Sequence, residues 1–263
     1  MNKTSAIAAG VLALAAQASF AQSFNGGLPA GWTTQGTAGT SGANGVVTLA
    51  PTSATGSTAY GWVSTAGSTA SVGFGLGQET NGSTLTSNAF AANAGDALQF
   101  YFNYVTSDGS HFADYAWASL LDASTGTVVA VLFDARTETS GTIAPGFGLP
   151  TPQATLTPGS VPIISGGPAW APLAGSSGSC YDAGCGYTGW VQSDYTIGSG
   201  GSYRLEFGVT NWQDDLYDSG LAFDGITVAG TPITPSVPEP ENIALMLAGL
   251  GALAAARRFG TKR

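Results

Sequence analysis

The sequence predicts an all-β protein built as a single β-sandwich of the jelly-roll type. Apolar and polar residues alternate with a period of two in several short segments, which is typical of strands with one buried face. Gly, Ser, Thr and Asn bound these segments, and the body of the chain lacks long helical periodicity. Many short strands without helical crossovers favour a sandwich or jelly roll.

Seven segments carry the strand pattern, namely 45–49, 59–63, 98–106, 115–121, 128–134, 203–210 and 221–228. The clearest is 98–106, in which Leu98, Phe100 and Phe102 fall on one face. The tetrapeptide Ala-Ser-Thr-Gly at 123–126 predicts a hairpin between the strands on either side. Each strand would therefore place one apolar face in a common core.

The alternation lapses between residues 139 and 189, which hold seven of the thirteen Pro and both Cys. A loop of this length without structure of its own is unusual inside a compact domain. The segment also carries the large apolar residues Ile163, Ile164, Trp170 and Tyr187. We therefore expect an ordered, Gly- and Pro-rich excursion that packs across one sheet.

Residues 1–21 have the pattern of a secretory signal peptide. Lys3 supplies the positive start, and residues 6–16 are apolar but too few to span a bilayer. Small residues at positions 19 and 21 predict cleavage by signal peptidase before Gln22. Cleavage there would place the mature protein outside the cytoplasm. The alternative is a buried N-terminal helix.

Residues 237–263 form a second candidate signal, with a proline-rich motif, an apolar run at 243–256 and a basic cluster. A helix of this run would rise about 21 Å. That falls short of the ~30 Å hydrocarbon core unless flanking side chains snorkel, and the basic cluster would stay cytoplasmic. The motif and the first basic residues are Val237, Pro238, Glu239, Pro240, Arg257 and Arg258.

This three-part order resembles the PEP-CTERM sorting signal. The resemblance implies export by a Gram-negative bacterium that makes extracellular polysaccharide. It also implies transient residence in the inner membrane through the C-terminal helix and processing by an exosortase-type enzyme. The protein would then reach the cell surface or the extracellular matrix. A simple C-terminal anchor helix is the alternative.

The body between the two signals, residues 22–236, carries two further resemblances. Residues 24–32 and 221–228 resemble the first and last strands of exported jelly rolls, which often pair with each other. A larger set of segments is similar to a family of exported PEP-CTERM-tagged proteins, namely 106–110, 114–118, 147–150, 184–190, 207–212 and 217–225. These resemblances imply a location and a fold, and no activity.

The body is strongly acidic. Only Arg136 and Arg204 of the seven basic residues lie in it, against fourteen of the sixteen acidic residues. Nucleic acid is excluded as a partner because phosphate binding needs a basic surface. An acidic surface would attract divalent cations and repel acidic polysaccharide unless cations bridge the two.

The residue types needed for most catalysis are missing from the body. It has no Lys, which excludes phosphate-binding P-loops and Schiff-base chemistry. His111 is the only His, so a His-rich zinc site is excluded, and no Gly-x-Ser-x-Gly motif presents a nucleophile. The sequence context of His111 predicts a loop residue. We expect a protein that is not an enzyme.

Cys180 and Cys185 are predicted to form a disulfide, because export exposes the chain to an oxidising compartment. The closed loop is short, so the expected stabilisation is modest, on the order of 2 kcal/mol. Its expected role is local, fixing a Gly-rich loop that precedes Trp190. A free or reactive pair is the alternative.

Two acidic segments suggest a Ca²⁺ site. Ca²⁺ binds six to eight oxygens from carboxylates, amides and carbonyls. The candidate ligands are Asn211, Asp214, Asp215, Asp218, Asp108 and Asp114, if the two segments meet in space. Their spacing matches neither the EF-hand loop nor the Gly-rich Ca²⁺ nonapeptide. The alternative is that these residues cap turns through their own backbone.

Exposed aromatic rings are the best sequence indication of binding, because planar faces stack on sugars and mark interaction surfaces. Trp170 and Trp190, in and beside the excursion, are the candidates for ligand binding. The expected function is a non-enzymatic structural or adhesive component of a polysaccharide matrix. The alternatives are a carbohydrate-binding module, perhaps dependent on Ca²⁺, and an extracellular glycoside hydrolase with two facing carboxylates.

Overall fold

A computed structural model describes residues 24–51, 57–139 and 141–233. The predicted signal peptide and the PEP-CTERM-like segment lie outside these residues. Within the described residues the regular structure is almost entirely β, with two short 3₁₀ helices at Ser110–Phe112 and Ala171–Ser176. No helix in this part of the chain has the length and hydropathy to cross a bilayer.

The described residues form seventeen strands. They are β1 (Thr33–Gln35), β2 (Thr37–Ser41), β3 (Tyr60–Ser64), β4 (Glu79–Thr86), β5 (Phe90–Ala92), β6 (Ala97–Thr106), β7 (Tyr115–Asp122), β8 (Val128–Arg136), β9 (Thr142–Ala144), β10 (Thr155–Thr157), β11 (Val161–Pro162), β12 (Ile164–Ser165), β13 (Gly186–Tyr187), β14 (Val191–Thr196), β15 (Gly201–Trp212), β16 (Ser219–Val228) and β17 (Thr231–Pro232). Most of the predicted strands are confirmed within a few residues. The hairpin predicted around 123–126 joins β7 to β8.

The strands form a β-sandwich of the jelly-roll type, as predicted. Sheet A has the order β1-β4-β15-β7-β8, with β5 also beside β15. Sheet B has the order β10-β14-β6-β16-β3-β2, extended by β12, β13 and β17. A small third sheet pairs β9 with β11. The chain crosses repeatedly between sheets A and B, so the two sheets share one core.

The core lies between the two sheets and is rich in aromatic rings. Phe102 of β6 stacks on Phe133 of β8 with ring centroids 3.7 Å apart. Phe207 of β15 stacks on Phe223 of β16 at 3.9 Å. These rings all belong to one buried cluster that also contains the predicted inner face of β6. Burial of apolar area on this scale is the main stabilising term.

The later half of the excursion packs across the outer face of sheet B, as predicted, whereas Ile143 and Leu156 of its earlier half are buried in the main core. Trp170 and Leu173 are fully buried on that outer face in a second apolar cluster with Tyr60. The hydroxyl of Ser64 donates a hydrogen bond to the carbonyl of Pro172 at 2.7 Å. A Cβ on Gly220 would lie 2.5 Å from the Trp170 ring, so the close approach requires glycine at that strand position.

Two strand predictions are wrong. The 45–49 segment forms a turn with a single bridge between Asn44 and Val47, because it is held by the excursion and not by a sheet neighbour. The Val46 amide donates to the Ala169 carbonyl at 2.9 Å. The predicted pairing of the first and last strands is the second. β1 and β2 do not pair with β16, which lies between β6 and β3 in sheet B. The Phe24 ring instead packs edge-on against Phe223.

Candidate functional site

Three connections meet at one end of the sandwich. They are residues 107–114 between β6 and β7, residues 213–218 between β15 and β16, and the disulfide loop at 180–185. The Ser107 amide donates to the Asp218 carbonyl at 3.1 Å, which joins the first two connections. The Ser107 carbonyl accepts from the Tyr181 amide at 3.0 Å, which adds the disulfide loop.

The predicted disulfide between Cys180 and Cys185 is confirmed. It closes the loop that carries Tyr181, and the loop docks on the neighbouring connection through the Ser110 amide and the Ala183 carbonyl at 2.9 Å. The disulfide therefore holds the loop against its neighbour.

Each connection contributes one aromatic ring to a surface that we call the aromatic patch, formed by Phe112, Tyr181 and Tyr217. The Phe112 and Tyr181 ring centroids are 5.6 Å apart, and those of Tyr181 and Tyr217 are 5.0 Å apart. Tyr181 is 47% exposed and Tyr217 is 36% exposed. Phe112 is half-buried beside them. Contiguous apolar surface that reaches solvent in this way can mark a binding surface.

The surroundings of the aromatic patch are acidic and partly apolar. Asp182 follows Tyr181 and is exposed, and Asp215 is exposed two residues before Tyr217. Leu216 is 60% exposed. His111, predicted to be a loop residue, is exposed beside Phe112 with ring centroids 5.4 Å apart. Carboxylates at the edge of an aromatic surface can accept hydrogen bonds from hydroxyl groups of a ligand.

A buried polar layer lies at this end of the sandwich, between the two sheets. Asp108 is 1% exposed and Asp114 is fully buried. The two Asp114 carboxyl oxygens accept hydrogen bonds from the Trp212 amide at 2.9 Å and the Ser219 hydroxyl at 2.6 Å. The Ser219 hydroxyl is hydrogen-bonded to that of Thr106 at 2.8 Å, so polar groups of both sheets form one network.

Two buried oxygens of this layer have no hydrogen-bond partner among the described residues. One is Oδ2 of Asp108, whose Oδ1 accepts from the Gly109 amide at 2.7 Å. The other is Oδ1 of Asn211, which is fully buried and donates through its amide group to Asn81 Oδ1 at 3.2 Å. Unpartnered buried acceptors are rare and require an explanation.

Burial shifts the pKa values of the two Asp carboxyl groups in this layer. Burial raises the pKa of Asp108 to about 7, and the charge of Asp214 adds to the shift while the Gly109 amide opposes it. Burial and the charge of Asp108 raise the pKa of Asp114 well above its usual range. The Asp108 carboxylate is therefore close enough to disfavour the ionised form of Asp114.

The other predicted Ca²⁺ ligands are placed differently. Asp214 is half-buried and accepts from the Leu216 amide at 3.1 Å, as expected of a turn cap. The Asp218 carboxylate accepts from the hydroxyls of Ser176 at 2.8 Å and Thr65 at 3.2 Å, so it ties the excursion to the sandwich. Across the described residues, no three His, Cys, Asp or Glu side chains converge as a metal site.

Trp170 has no exposed face for stacking on a ligand, and Trp190 is only partly exposed. Trp170 is 1% exposed and donates from its indole to the Tyr60 hydroxyl at 2.9 Å. Trp190 is half-buried against Tyr60 and donates to the Thr48 carbonyl at 3.0 Å. Both rings hold surface segments on sheet B. The prediction that Trp170 binds a ligand is wrong, because its ring is buried where the excursion packs on sheet B.

The aromatic patch was not predicted from the sequence. Its three residues are far apart in the chain, and Phe112 and Tyr181 lie in loops that carry no apolar pattern. The one sequence signal for Phe112 and Tyr181 was that they lie close in the chain to Asp108, Asp182 and the two cysteines. A second surface was also missed, a groove of about 320 Å³ on sheet B that is lined by Thr40, Ser41 and Trp62 among others.

A pair of facing carboxylates, as in a glycoside hydrolase, is not formed by Glu79 and Glu206. Glu206 lies opposite Thr86 in the sheet register, and Glu79 is at the other end of the same strand. At ~3.3 Å per residue the two glutamates are about 20 Å apart. Hydrolysis needs carboxyl groups roughly 5–10 Å apart on either side of the sugar.

Comparisons with known proteins show only distant likenesses. No protein-family model and no curated protein matches the chain. The K1 cleaved adhesin domain of Lys-gingipain from Porphyromonas gingivalis W83 is 12% identical, with a TM-score of 0.36, over 80% of this chain and 94% of that chain. The enzymatically active domain of bacteriophage CBA120 tailspike protein 4 is 13% identical, with a TM-score of 0.32, over 76% and 19% of the two chains.

Proposed function

We propose that this protein is an exported, non-enzymatic adhesive domain that binds neutral polysaccharide through the aromatic patch. The observation that carries the proposal is the contact between the Phe112, Tyr181 and Tyr217 rings on three loops at one end of the sandwich. Tyr is well suited to such a surface, because it presents a large amphipathic face with few rotatable bonds.

Neutral polysaccharide is favoured by the charges near the patch. Asp182 and Asp215 are exposed close to Tyr181 and Tyr217, and the body as a whole carries far more acidic than basic residues. Anionic chains would be repelled by these carboxylates. Sugar hydroxyls can donate hydrogen bonds to the same carboxylates while a ring face stacks on Tyr.

The location outside the cytoplasm is supported by the Cys180–Cys185 disulfide, since disulfides persist in oxidising compartments. The export route proposed from the sequence uses signal peptidase at the N-terminus and an exosortase-type enzyme at residues 237–263. The protein would end at the cell surface or in a polysaccharide matrix. An adhesive function fits that destination.

The proposal is tested by co-sedimentation of the full chain with insoluble neutral polysaccharide, such as cellulose or chitin. Saturable binding is expected for the wild-type protein, and the double variant Tyr181→Ala, Tyr217→Ala should bind at least tenfold more weakly. The matched control is Phe147→Ala, because Phe147 is a 75% exposed ring that lies outside the patch. Absence of wild-type binding, or an equal loss in the control, would contradict the proposal.

A further inference from the structure

Strand β2 forms an open edge of sheet B. It stands last in the strand order of that sheet, and among the described residues it pairs with β3 alone. The edge of sheet A at β8 is shielded in part, since the Val131 carbonyl there accepts from the Gln153 amide of the excursion at 2.8 Å. Natural proteins protect edge strands with charged residues, proline or bulges, because an open edge can pair with another chain. The sequence of β2, Thr-Ala-Gly-Thr-Ser, contains no charged residue and no proline.

The outward backbone groups of β2 belong to Ala38 and Thr40. In an antiparallel sheet, successive residues direct their N–H and C=O groups to opposite neighbours. The Thr65 amide, just after β3, donates to the Ser219 carbonyl at 2.9 Å, which directs the odd residues of β3 to β16 and its even residues to β2. The even residues lie opposite positions 37, 39 and 41 of β2. Ala38 and Thr40 therefore present amide donors and carbonyl acceptors that no described residue uses.

The chain segments around this edge contain no charged residue. No Asp, Glu, Lys, Arg or His occurs at positions 22–78 or 139–181, which supply β2, β3 and the 3₁₀ helix at Ala171–Ser176. The groove of about 320 Å³ lies between these elements, and its uncharged lining includes Trp62 and Pro172. The rest of the body is strongly acidic, so a second copy of the chain meets the least electrostatic repulsion at this surface. A basic partner would be attracted to other surfaces.

We propose that two copies of this chain form a dimer by antiparallel pairing of their β2 strands, with Gly39 of each copy beside a two-fold axis. In this register Ala38 of one copy lies opposite Thr40 of the other, and each such pair exchanges both N–H···O=C bonds. The same strand serves both copies, so the interface is self-complementary. Assembly closes at two copies because both β2 edges are then used.

Gly39 suits the position beside the axis. A Cβ on Gly39 would lie 2.6 Å from the ring of Trp62, so this half-exposed indole lies across β2 on the outer face of the sheet. Opposite residues that exchange no hydrogen bonds approach to about 4.5 Å between Cα atoms, and two glycines meet there without side chains between them. The two Trp62 residues would be separated by three strand spacings, about 14 Å, with each ring directed towards the axis. Pairing would therefore cover apolar rings as well as backbone groups.

The dimer would carry its two aromatic patches at opposite ends. Thr37, the first residue of β2, lies opposite Ser64, and Ser64 lies opposite Gly220, next to the 213–218 connection. Strand β2 therefore begins at the patch end of the sandwich, and antiparallel pairing points the two patch ends in opposite directions. Such a dimer would bind two polysaccharide chains and link them. This consequence rests on the proposed function, whereas formation of the dimer does not.

The experiment is sedimentation-velocity ultracentrifugation of the full chain over a range of concentrations, without polysaccharide. We expect an equilibrium between monomer and dimer. Thr40→Pro should weaken dimerisation at least tenfold, because it removes the outward N–H of residue 40 without removing a hydrogen bond within the chain. Thr40→Val keeps this N–H and is the matched control, with a dimerisation constant within about twofold of the wild-type value.

Thr37→Glu is a second variant, which leaves the backbone groups of β2 in place. It puts a charge in the interface, where the charge must be desolvated, and should also weaken dimerisation at least tenfold. Thr155→Glu is its matched control, since Thr155 is exposed on β10 at the opposite edge of sheet B. A chain that is monomeric at every concentration, or a dimer that persists in both Thr40→Pro and Thr37→Glu, would overturn the proposal. Equal losses in Thr37→Glu and Thr155→Glu would overturn it in favour of general charge repulsion.

Discussion

The indole N–H of Trp170 donates a hydrogen bond to the hydroxyl of Tyr60 at 2.9 Å, between two rings that are buried outside the main core. Tyr60 lies on β3 of sheet B, and Trp170 lies in the excursion. The bond therefore attaches the later half of the excursion to a regular sheet, while strand pairing by β10 holds an earlier part. It also explains how a Gly- and Pro-rich segment remains ordered without long strands of its own.

Tyr60→Phe tests this attachment. The substitution leaves the Trp170 N–H buried without an acceptor, and we expect the free energy of unfolding to fall by about 1–3 kcal/mol. Urea denaturation measures the change. Tyr101→Phe is the control, because the Tyr101 hydroxyl bonds to Gln192 on a half-buried surface and should contribute less. Equal effects of the two variants would show that the excursion does not depend on the Tyr60 hydroxyl.

Asp134 should make stability depend on pH. Burial raises its pKa to about 7, while one oxygen accepts from the Gly146 amide at 2.6 Å and Oδ2 has no hydrogen-bond partner within the described part of the chain. The folded state therefore binds a proton more tightly than the unfolded state, and this group's contribution falls as pH rises from about 4 to about 7. Asp134→Asn should raise the free energy of unfolding at pH 8 by roughly 1–2 kcal/mol, with little effect at pH 4.

Thermal unfolding of both proteins at pH 4 and pH 8 measures this difference. Asp215→Asn is the control, since Asp215 is exposed and should change stability little at either pH. Destabilisation by Asp134→Asn at pH 8 would mean that the Asp134 carboxylate is paired when ionised.

Glu79 should stabilise the glycine-rich loop at 73–78. Its contribution should rise with pH, whereas that of Asp134 falls. Burial opposes its ionisation, but hydrogen bonds from the Leu76 amide, the Tyr115 hydroxyl and the Gly77 amide lower its pKa to about 2. Its contribution is complete above about pH 4.5 and is lost as pH falls towards 2.

Glu79→Gln presents one acceptor oxygen in place of two, so part of this amide network is lost. Hydrogen exchange at the Leu76 and Gly77 amides should accelerate at pH 7 by about tenfold, while amides of β6 keep their protection. An unchanged exchange rate in the loop would contradict the role assigned to Glu79.

Breaking the disulfide should affect binding more than stability. The Cys180–Cys185 loop is short, so removing the bond by the double change Cys180→Ser, Cys185→Ser should cost about 2 kcal/mol or less. Tyr181 would lose its fixed position beside Phe112 and Tyr217, and affinity for neutral polysaccharide should fall several-fold. Urea denaturation and co-sedimentation measure the two effects. Lower stability with unchanged affinity would separate the disulfide from the aromatic patch.

The fold was largely predictable because the longest strands have apolar inner faces. The alternation in β6 and β15 reports a buried face directly, and the large apolar residues of the excursion indicated that it packs on a sheet. β4 was missed because its buried residues include Gly82, Ser83 and Thr84, which have no apolar signature. Hydrogen bonds compensate for burial there, as the Ser83 hydroxyl donates to the Ser64 carbonyl at 2.6 Å.

The candidate site was only partly predictable. Grouping two distant acidic segments brought together Asp108, Asp114 and Asn211, which the structure places in the buried polar layer at one end of the sandwich, with Asp214 half-buried in a neighbouring connection. The aromatic patch could not be found in this way, since it depends on loop-to-loop hydrogen bonds such as that between Tyr181 and Ser107. Trp170 was predicted to bind a ligand, but its ring is buried against Gly220, where it attaches the excursion to sheet B.

Hydrogen exchange of the full chain, with and without a saturating soluble neutral oligosaccharide such as a cello- or chito-oligosaccharide, tests binding at the aromatic patch most directly. Binding there predicts added protection at residues 107–113, 179–185 and 213–218, and unchanged exchange around Trp62 in the groove of sheet B. Protection confined to residues 37–41 and 60–64, or no added protection at the three connections, would contradict it.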